Sequence, residues 1–180
     1  EGPDFLADTY RALHRHHAVR AVTASEHLAA AGNATPLDLP AGSWGRGGDF
    51  SMWLNPQTAW IWTRLWAIEE RFWNVAAAAL ALPPAWPVIA QAARELLLAQ
   101  SSAWQFIIST GGVTDYGERR FRLHADAAES LVAALERHGH AGGDLGGATR
   151  QAEELYALDT LFPDVLDAVA RSLAGAPVMV

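Results

Sequence analysis

A mainly α-helical fold is predicted, with a helical-bundle-like C-terminal domain behind a short opening of α/β character. Three observations predict it. Apolar residues recur at three- and four-residue intervals over long stretches. Proline and glycine fall mainly at the ends of those stretches. Residues 1 to about 40 follow a different pattern from everything after them.

The elements follow in order. Phe5, Leu6, Tyr10 and Leu13 predict a helix over 3–16. Val19 to Val22 is a short apolar run and predicts a strand. Thr23 and Glu26 have the spacing of a capping box, and Gly32 suits the position after a helix. Residues 33–54 are rich in Gly, Pro and Asp and predict a long loop, a kind of segment that is usually functional or disordered. Asn55 is read as a helix cap with Pro56 in the first turn, opening a helix to about Ala81. The prolines of "LPPAWP" stop it, since proline has no amide proton and clashes with the preceding turn. A second long helix is expected over 87–109, with Ile89, Ala93, Leu96, Leu97, Gln100, Trp104 and Ile107 on a broad face that belongs in the centre. Gly111 and Gly112 break it. A third runs from Thr114 or Asp115 to about Gly139, with Arg137 and His138 near its end, where cations suit the helix dipole. After "GHAGGDLGG", shorter helices are expected over 148–158 and 163–174. A lone helix-strand-helix has no sheet to complete. Residues 1–40 are therefore expected to be the end of a larger barrel or sheet, and residues 41–180 a helical domain.

Composition narrows the function. Of 180 residues, 51% are hydrophobic, enough for one core. No apolar run is long enough to predict a membrane-spanning helix, and no basic-then-apolar leader is visible. The net charge is −7 and all 13 basic residues are arginine, scattered along the chain. That balance argues against nucleic acid or an anionic membrane as partner. Cysteine is absent, which excludes disulfides and cysteine metal sites and fits a cytoplasmic protein. The eight tryptophans stand out, because extra tryptophan is either core volume or a flat binding surface.

"SWGRGGDFSMWLN", residues 43–55, resembles the fifth conserved region of glycoside hydrolase family 57, in its branch of 1,4-α-glucan branching enzymes. "EGPDFL" resembles the segment just after that family's catalytic aspartate, and "AVTASEHL" its last strand-helix turn. "QAARELLLAQSSAWQFIISTGGVTDYGERRF" resembles the signature of its C-terminal helical domain, and "LFPDV" its ending. The similar stretches are colinear over almost the whole chain.

The resemblance implies a (β/α)7 barrel followed by a helical domain that closes one side of the cleft. It places the catalytic glutamate and aspartate on the barrel, before Glu1, so no catalytic residue is expected here and the chain alone should be inactive. It implies α-1,4-glucan and the barrel as partners, and calls for no cofactor or metal. It implies a substrate-binding role for Trp44 and Trp53, with Gly47, Gly48 and Asp49 shaping their loop and Trp104 as a further candidate. A sugar ring presents C–H faces that pack on an indole. Glycines let the loop turn sharply near a ligand. Asp49 could cap a turn or accept a sugar hydroxyl. The chain departs from the family pattern where Ala41 and Gly42, Phe50, and Ala103 replace an acidic residue, a histidine and an aspartate.

Other readings compete. Trp44 and Trp53 could pack on the helical domain. Trp60, Trp62, Trp66 and Trp73 are read as core or inter-helix packing. Trp104 has the spacing of a helix face, which leaves its role open. His14, His16 and His17 lack a carboxylate at ligand spacing and are read as surface residues. Glu69 and Glu70 point apart on a helix and are expected to be solvated or paired with Arg64 or Arg71. Asp115, Glu118 and Arg119 are expected to form a helix start and its ion pairs. A free-standing helical module that binds glucan or protein is the alternative to a branching-enzyme segment.

Overall fold

Prolines, glycines and a capping box set most of the helix ends. The computed structural model describes residues 1–32 and 35–175. Asn33 and Ala34, at the start of the expected loop, lie outside them. The described residues form eight α-helices and no strand. They divide into two compact units, Glu1–Ala41 and Gly42–Val180.

The first unit holds α1 (Gly2–Arg15) and α2 (Ala24–Ala31). The capping box forms as the spacing predicts. The Thr23 hydroxyl accepts from the Glu26 amide at 3.2 Å, and the Glu26 carboxylate accepts from the Thr23 amide at 2.7 Å. That backbone hydrogen bond, with a second from the Thr23 side chain, holds the Glu26 carboxyl below the usual range. Neither helix buries a residue. The strand expected over Val19–Val22 does not form. A strand needs a partner for its amides and carbonyls, and no described segment offers one.

The second unit holds α3 (Ala59–Leu80), α4 (Trp86–Ala99), α5 (Ala103–Thr110), α6 (Thr114–Ala141), α7 (Gly146–Leu158) and α8 (Val165–Leu173). Helix α4 is central, with nine of its 14 residues buried, and it packs on α3, α6, α7 and α8. Its buried alanines, Ala92, Ala93 and Ala99, let large neighbours approach its backbone. Ile61, Leu65, Ile68, Phe72, Ala76 and Ala79 recur every three or four residues and form the stripe that α3 buries. Helix α6 contributes Phe121, Ala125, Ala128, Leu131, Val132 and Leu135. A Cβ at Gly117 would lie 3.2 Å from both Ile107 and Ile108, so glycine lets α5 cross close to α6.

Several expectations are corrected. Asn55 does not cap α3; its side chain accepts from the Gln57 amide at 2.8 Å in a turn, and the helix begins at Ala59. The single helix over 87–109 is two, because the chain turns at Gln100–Ser102. There the Trp104 indole donates to the Leu98 carbonyl at 2.8 Å, taking an acceptor near the end of α4. Leu96 is buried, but Leu97 is exposed. Trp60 and Trp62 pack on the core as expected. Trp66 and Trp73 do not, being 59% and 38% exposed. Each follows a buried residue, Leu65 or Phe72, and so lies about 100° around the helix from the stripe. Arg64 and Arg71 pair with α6 and not with Glu69 or Glu70.

Arg64 grips Glu129 through two bonds of 3.1 and 2.7 Å and reaches Asp126 at 2.5 Å. Arg71 grips Glu136 at 2.9 and 2.7 Å. Both arginines and both glutamates are seven residues apart, so α3 and α6 run in the same direction. The hydrogen bonds from Arg71 hold the Glu136 carboxyl below the usual range.

A polar cluster joins α4 to α6 inside the core. Glu95 and His124 are fully buried, with Oε2 and Nδ1 2.7 Å apart. Arg120 lies 3.0 Å from His124 Nε2. A guanidinium can only donate, so Nε2 accepts and Nδ1 carries the proton to the Glu95 carboxylate. Gln91 donates to the other Glu95 oxygen at 2.8 Å.

The buried hydrogen bond and the partly exposed ion pair predict different costs. Glu95→Ala leaves the Nδ1–H of the buried His124 without its acceptor and is expected to cost about 1–3 kcal/mol. Arg71→Ala breaks a partly exposed pair and is expected to cost no more than about 1 kcal/mol. Denaturant unfolding of each variant measures both. The Arg71–Glu136 contribution has a pH sign. Because the folded Glu136 value is lowered, its contribution is complete at neutral pH and fades as pH falls below the carboxylate range through that lowered value. Unfolding curves for wild type and Glu136→Gln should therefore converge in acid.

Candidate functional site

The tryptophan loop begins where Ser43 closes a small ring of backbone. The Ser43 amide donates to the Gly48 carbonyl at 2.8 Å, and its hydroxyl donates to the Asp49 carbonyl. The Gly45 amide donates to the Ser43 hydroxyl at 3.2 Å. Gly47 and Gly48, at φ +75° and +71°, take the left-handed conformation that reverses the chain inside this ring. Asp49 follows. Its carboxylate accepts from the Ser51 hydroxyl at 2.5 Å and the Ser51 amide at 2.9 Å, and both bonds hold it below the usual range. Of the two uses the sequence allowed Asp49, the structure displays the turn cap.

Trp53 is anchored through its backbone. Its carbonyl accepts from the Thr58 hydroxyl at 2.8 Å and from the Trp62 indole at 2.7 Å. Asn55 ties the end of the loop to α5 by donating to Ser109 at 2.8 Å. The Trp53 ring is half-buried and packs close to the Gly45 backbone. A Cβ at Gly45 would lie 2.8 Å from Met52, 3.1 Å from the Asp49 carbonyl and 3.2 Å from the Trp53 ring.

Trp44 differs, being 83% exposed. Its ring centroid lies 6.0 Å from that of Phe106, on α5, at 47° between planes. Trp53 meets the same phenyl at 6.3 Å and 39°. The structure thus gathers Trp44, Trp53, Gly47, Gly48 and Asp49 in one loop over α5. Trp104 lies elsewhere on that helix. Its indole N–H is already given to Leu98, and the rings it meets are Tyr116, edge-on, and His124, stacked at 25°. Sequence reasoning passed over Phe106, since helical spacing does not reveal what a distant loop lays upon it. Phe50 and Leu54 of the loop, with Trp62 and Trp66 of α3, continue an open apolar groove with Trp53.

Glu95, His124 and Asp159 bring possible metal-ligand atoms within 4.8 Å of one another. The hydrogen bonds already described occupy both ring nitrogens of His124, and the donor at Nε2 is a cation. No local sequence pattern marks this cluster, whose members come from three distant segments.

Residues 65–169 match the family described as the C-terminal part of 1,4-alpha-glucan branching enzyme, which is more than half of the chain. The chain belongs to this family. It is 35% identical over 108 residues to a 1,4-alpha-glucan branching enzyme of Thermococcus kodakarensis, covering 59% of this chain and 16% of that one. It is 34% identical over 170 residues to a probable 1,4-alpha-glucan branching enzyme of Mycobacterium tuberculosis, covering 90% of this chain and 31% of that one. A similarity of that extent takes in the tryptophan loop. Among solved structures, the GH57-type branching enzyme of Pyrococcus horikoshii superposes with a TM-score of 0.69 at 34% identity, over 77% of this chain and 26% of that one. The Thermococcus kodakarensis GH57 branching enzyme, solved with glucose and additives, gives the same score and identity over 82% and 26%. The chain therefore spans a third or less of the length of these relatives.

Gly45 and Gly48 should fail for opposite reasons. At Gly45, φ is −91° but the space is filled; at Gly48, the space is open but φ is positive. Gly48→Ala is expected to cost about 1–2 kcal/mol, and Gly48→Asn less, because Asn enters that conformation more readily. Gly45→Ala and Gly45→Asn are both expected to displace Trp53, with Asn the worse. Thermal unfolding and the near-ultraviolet circular dichroism of the tryptophans distinguish the two patterns.

Proposed function

We propose that this chain is the C-terminal part of a cytoplasmic glucan branching enzyme, and that its tryptophan loop forms one wall of the α-1,4-glucan cleft. The observation that carries the reading is Trp44, held open to solvent beside Trp53 in a chain of this family. A tryptophan needed only for packing gains nothing from such exposure. Its indole face is free to stack on the C–H face of a glucosyl ring. Trp53 faces the same loop but has its carbonyl fixed from α3, which sets the register of the wall.

The chemistry belongs to two carboxylates outside this chain, on the barrel that the first 40 residues complete. One forms a glycosyl intermediate and the other protonates the leaving oxygen, then activates a sugar 6-hydroxyl in place of water. The family's division into barrel and helical domain supports this. So does α1, which presents Phe5, Leu6 and Tyr10 uncovered. The role of this chain is to hold the acceptor glucan beside the reacting bond and to keep water from competing with it. Asp49, its carboxylate held in place by Ser51, is the acidic group nearest the two tryptophans in sequence and is a candidate partner for a sugar hydroxyl.

In the full-length protein, Trp44→Ala is expected to weaken glucan interaction by about 1 kcal/mol and to lower branching while leaving the thermal midpoint nearly unchanged. Trp53→Ala should lower branching too, with some loss of stability. Trp73→Ala, away from the loop, should affect stability alone. Iodine colour and new branch points on amylose give the activity. Unchanged branching in Trp44→Ala, or branching by the isolated 180-residue chain, would favour a different role.

A further inference from the structure

Trp44 and Trp53 are nine residues apart in a glycine-rich loop, yet they share one support. Both rings meet Phe106, at 6.0 and 6.3 Å, with similar inclinations of 47° and 39°. Phe106 is half-buried and sits on a short helix that is well fixed. Its amide donates to Ser102 at 3.2 Å and its carbonyl accepts from Thr110 at 3.0 Å. The buried neighbours Gln105 and Ile108 seat α5 in the unit, and Gly117 lets α6 come close beneath. The turn at Gln100–Ser102 makes α5 a helix of its own and so decides where Phe106 stands. Trp44 is otherwise free: its loop turns on two glycines, and its ring is the most exposed of the described large apolar side chains of the second unit.

We propose that Phe106 is a positioning residue for the glucan cleft, setting the angle and spacing of Trp44 and Trp53 without itself being the sugar platform. The inference rests on the cleft reading above. Two stacking faces help a glucan only if their separation matches the repeat of its sugar rings. Flexible glycines alone cannot fix that separation. A rigid phenyl in contact with both indoles can, and it removes part of the ordering cost that the acceptor would otherwise bear on binding. The chemistry also needs a planar side chain here. A leucine or methionine of similar bulk fills the space but gives neither indole an aromatic surface to pack against.

The test uses the full-length protein and measures transfer from amylose against the concentration of a malto-oligosaccharide acceptor. Phe106→Leu is expected to raise the acceptor KM about fivefold, the loss of up to two aromatic contacts, with little change in kcat. Phe106→Tyr should restore the wild-type KM. In a Trp44→Ala, Trp53→Ala background, adding Phe106→Leu should raise KM no further, because there is nothing left to position. Should Phe106→Leu impair folding, as its thermal midpoint would reveal, Phe106→Met takes its place. A wild-type KM in Phe106→Leu, with a raised KM in the tryptophan double variant, would overturn the inference and leave the cleft reading standing. An equal rise in both backgrounds would also overturn it, since Phe106 would then act independently of the tryptophans. A wild-type KM in the double variant would remove the cleft reading and the inference with it.

Discussion

The contact between Glu95 and His124 is the interaction on which the rest of the second unit depends. Both groups are fully enclosed, so each is tolerable there only because of the other. The pair fixes α4 against α6 at one register, and the imidazole orientation follows from Arg120 on one nitrogen and Glu95 on the other. The Trp104 ring runs at 25° to that imidazole, offset with centroids 6.4 Å apart, and its indole donates to the Leu98 carbonyl, which places the start of α5. Phe106, on the same short helix, then stands under the two loop tryptophans. A buried hydrogen bond from a neutral imidazole to a carboxylate adds modest net stability, but it is strict about geometry. Here its geometry is passed outward through aromatic rings to the surface where glucan is proposed to bind.

The loop itself combines two modes of control. Its backbone is fixed by hydrogen bonds: Ser43 to Gly48 and Asp49, Thr58 and Trp62 to the Trp53 carbonyl, and Asn55 to Ser109. Its side chains are less constrained, and Trp44 in particular has few neighbours. The arrangement suits a recognition surface. The backbone is settled before a ligand arrives, while an indole face stays uncovered. Replacing Trp44 by an alanine would cost the fold little for the same reason that it should cost binding more.

Much of the fold was legible in the sequence, where local chemistry decides the outcome. Thr23 and Glu26 formed their capping box, Pro83 and Pro84 ended α3, and Gly111 closed α5. The central place of α4 followed from its broad apolar face. The failures share a different cause: each depends on a partner far away in sequence. Val19–Val22 has strand composition but no described strand to pair with. Asn55 has the composition of a cap but spends its side chain on Gln57, Ser51 and Ser109. The helix over 87–109 is broken because Trp104 folds back on Leu98. Trp66 and Trp73 lie one residue off the buried stripe, a difference too small for a window of periodicity to resolve. In the site, the resemblance to glycoside hydrolase family 57 pointed to Trp44 and Trp53, but nothing local could reveal that Phe106 joins them. The Glu95–His124 pair was hidden likewise, 29 residues apart on two helices.

The most direct measurement is a crystal structure of the full-length protein soaked with maltoheptaose. The account predicts a glucosyl ring stacked on the Trp44 indole within about 4 Å, with the glucan continuing past Trp53 toward the proposed catalytic carboxylates. It would be contradicted by glucan bound well away from residues 43–55, or by Trp44 packed against protein in the complete molecule with no face left for a sugar.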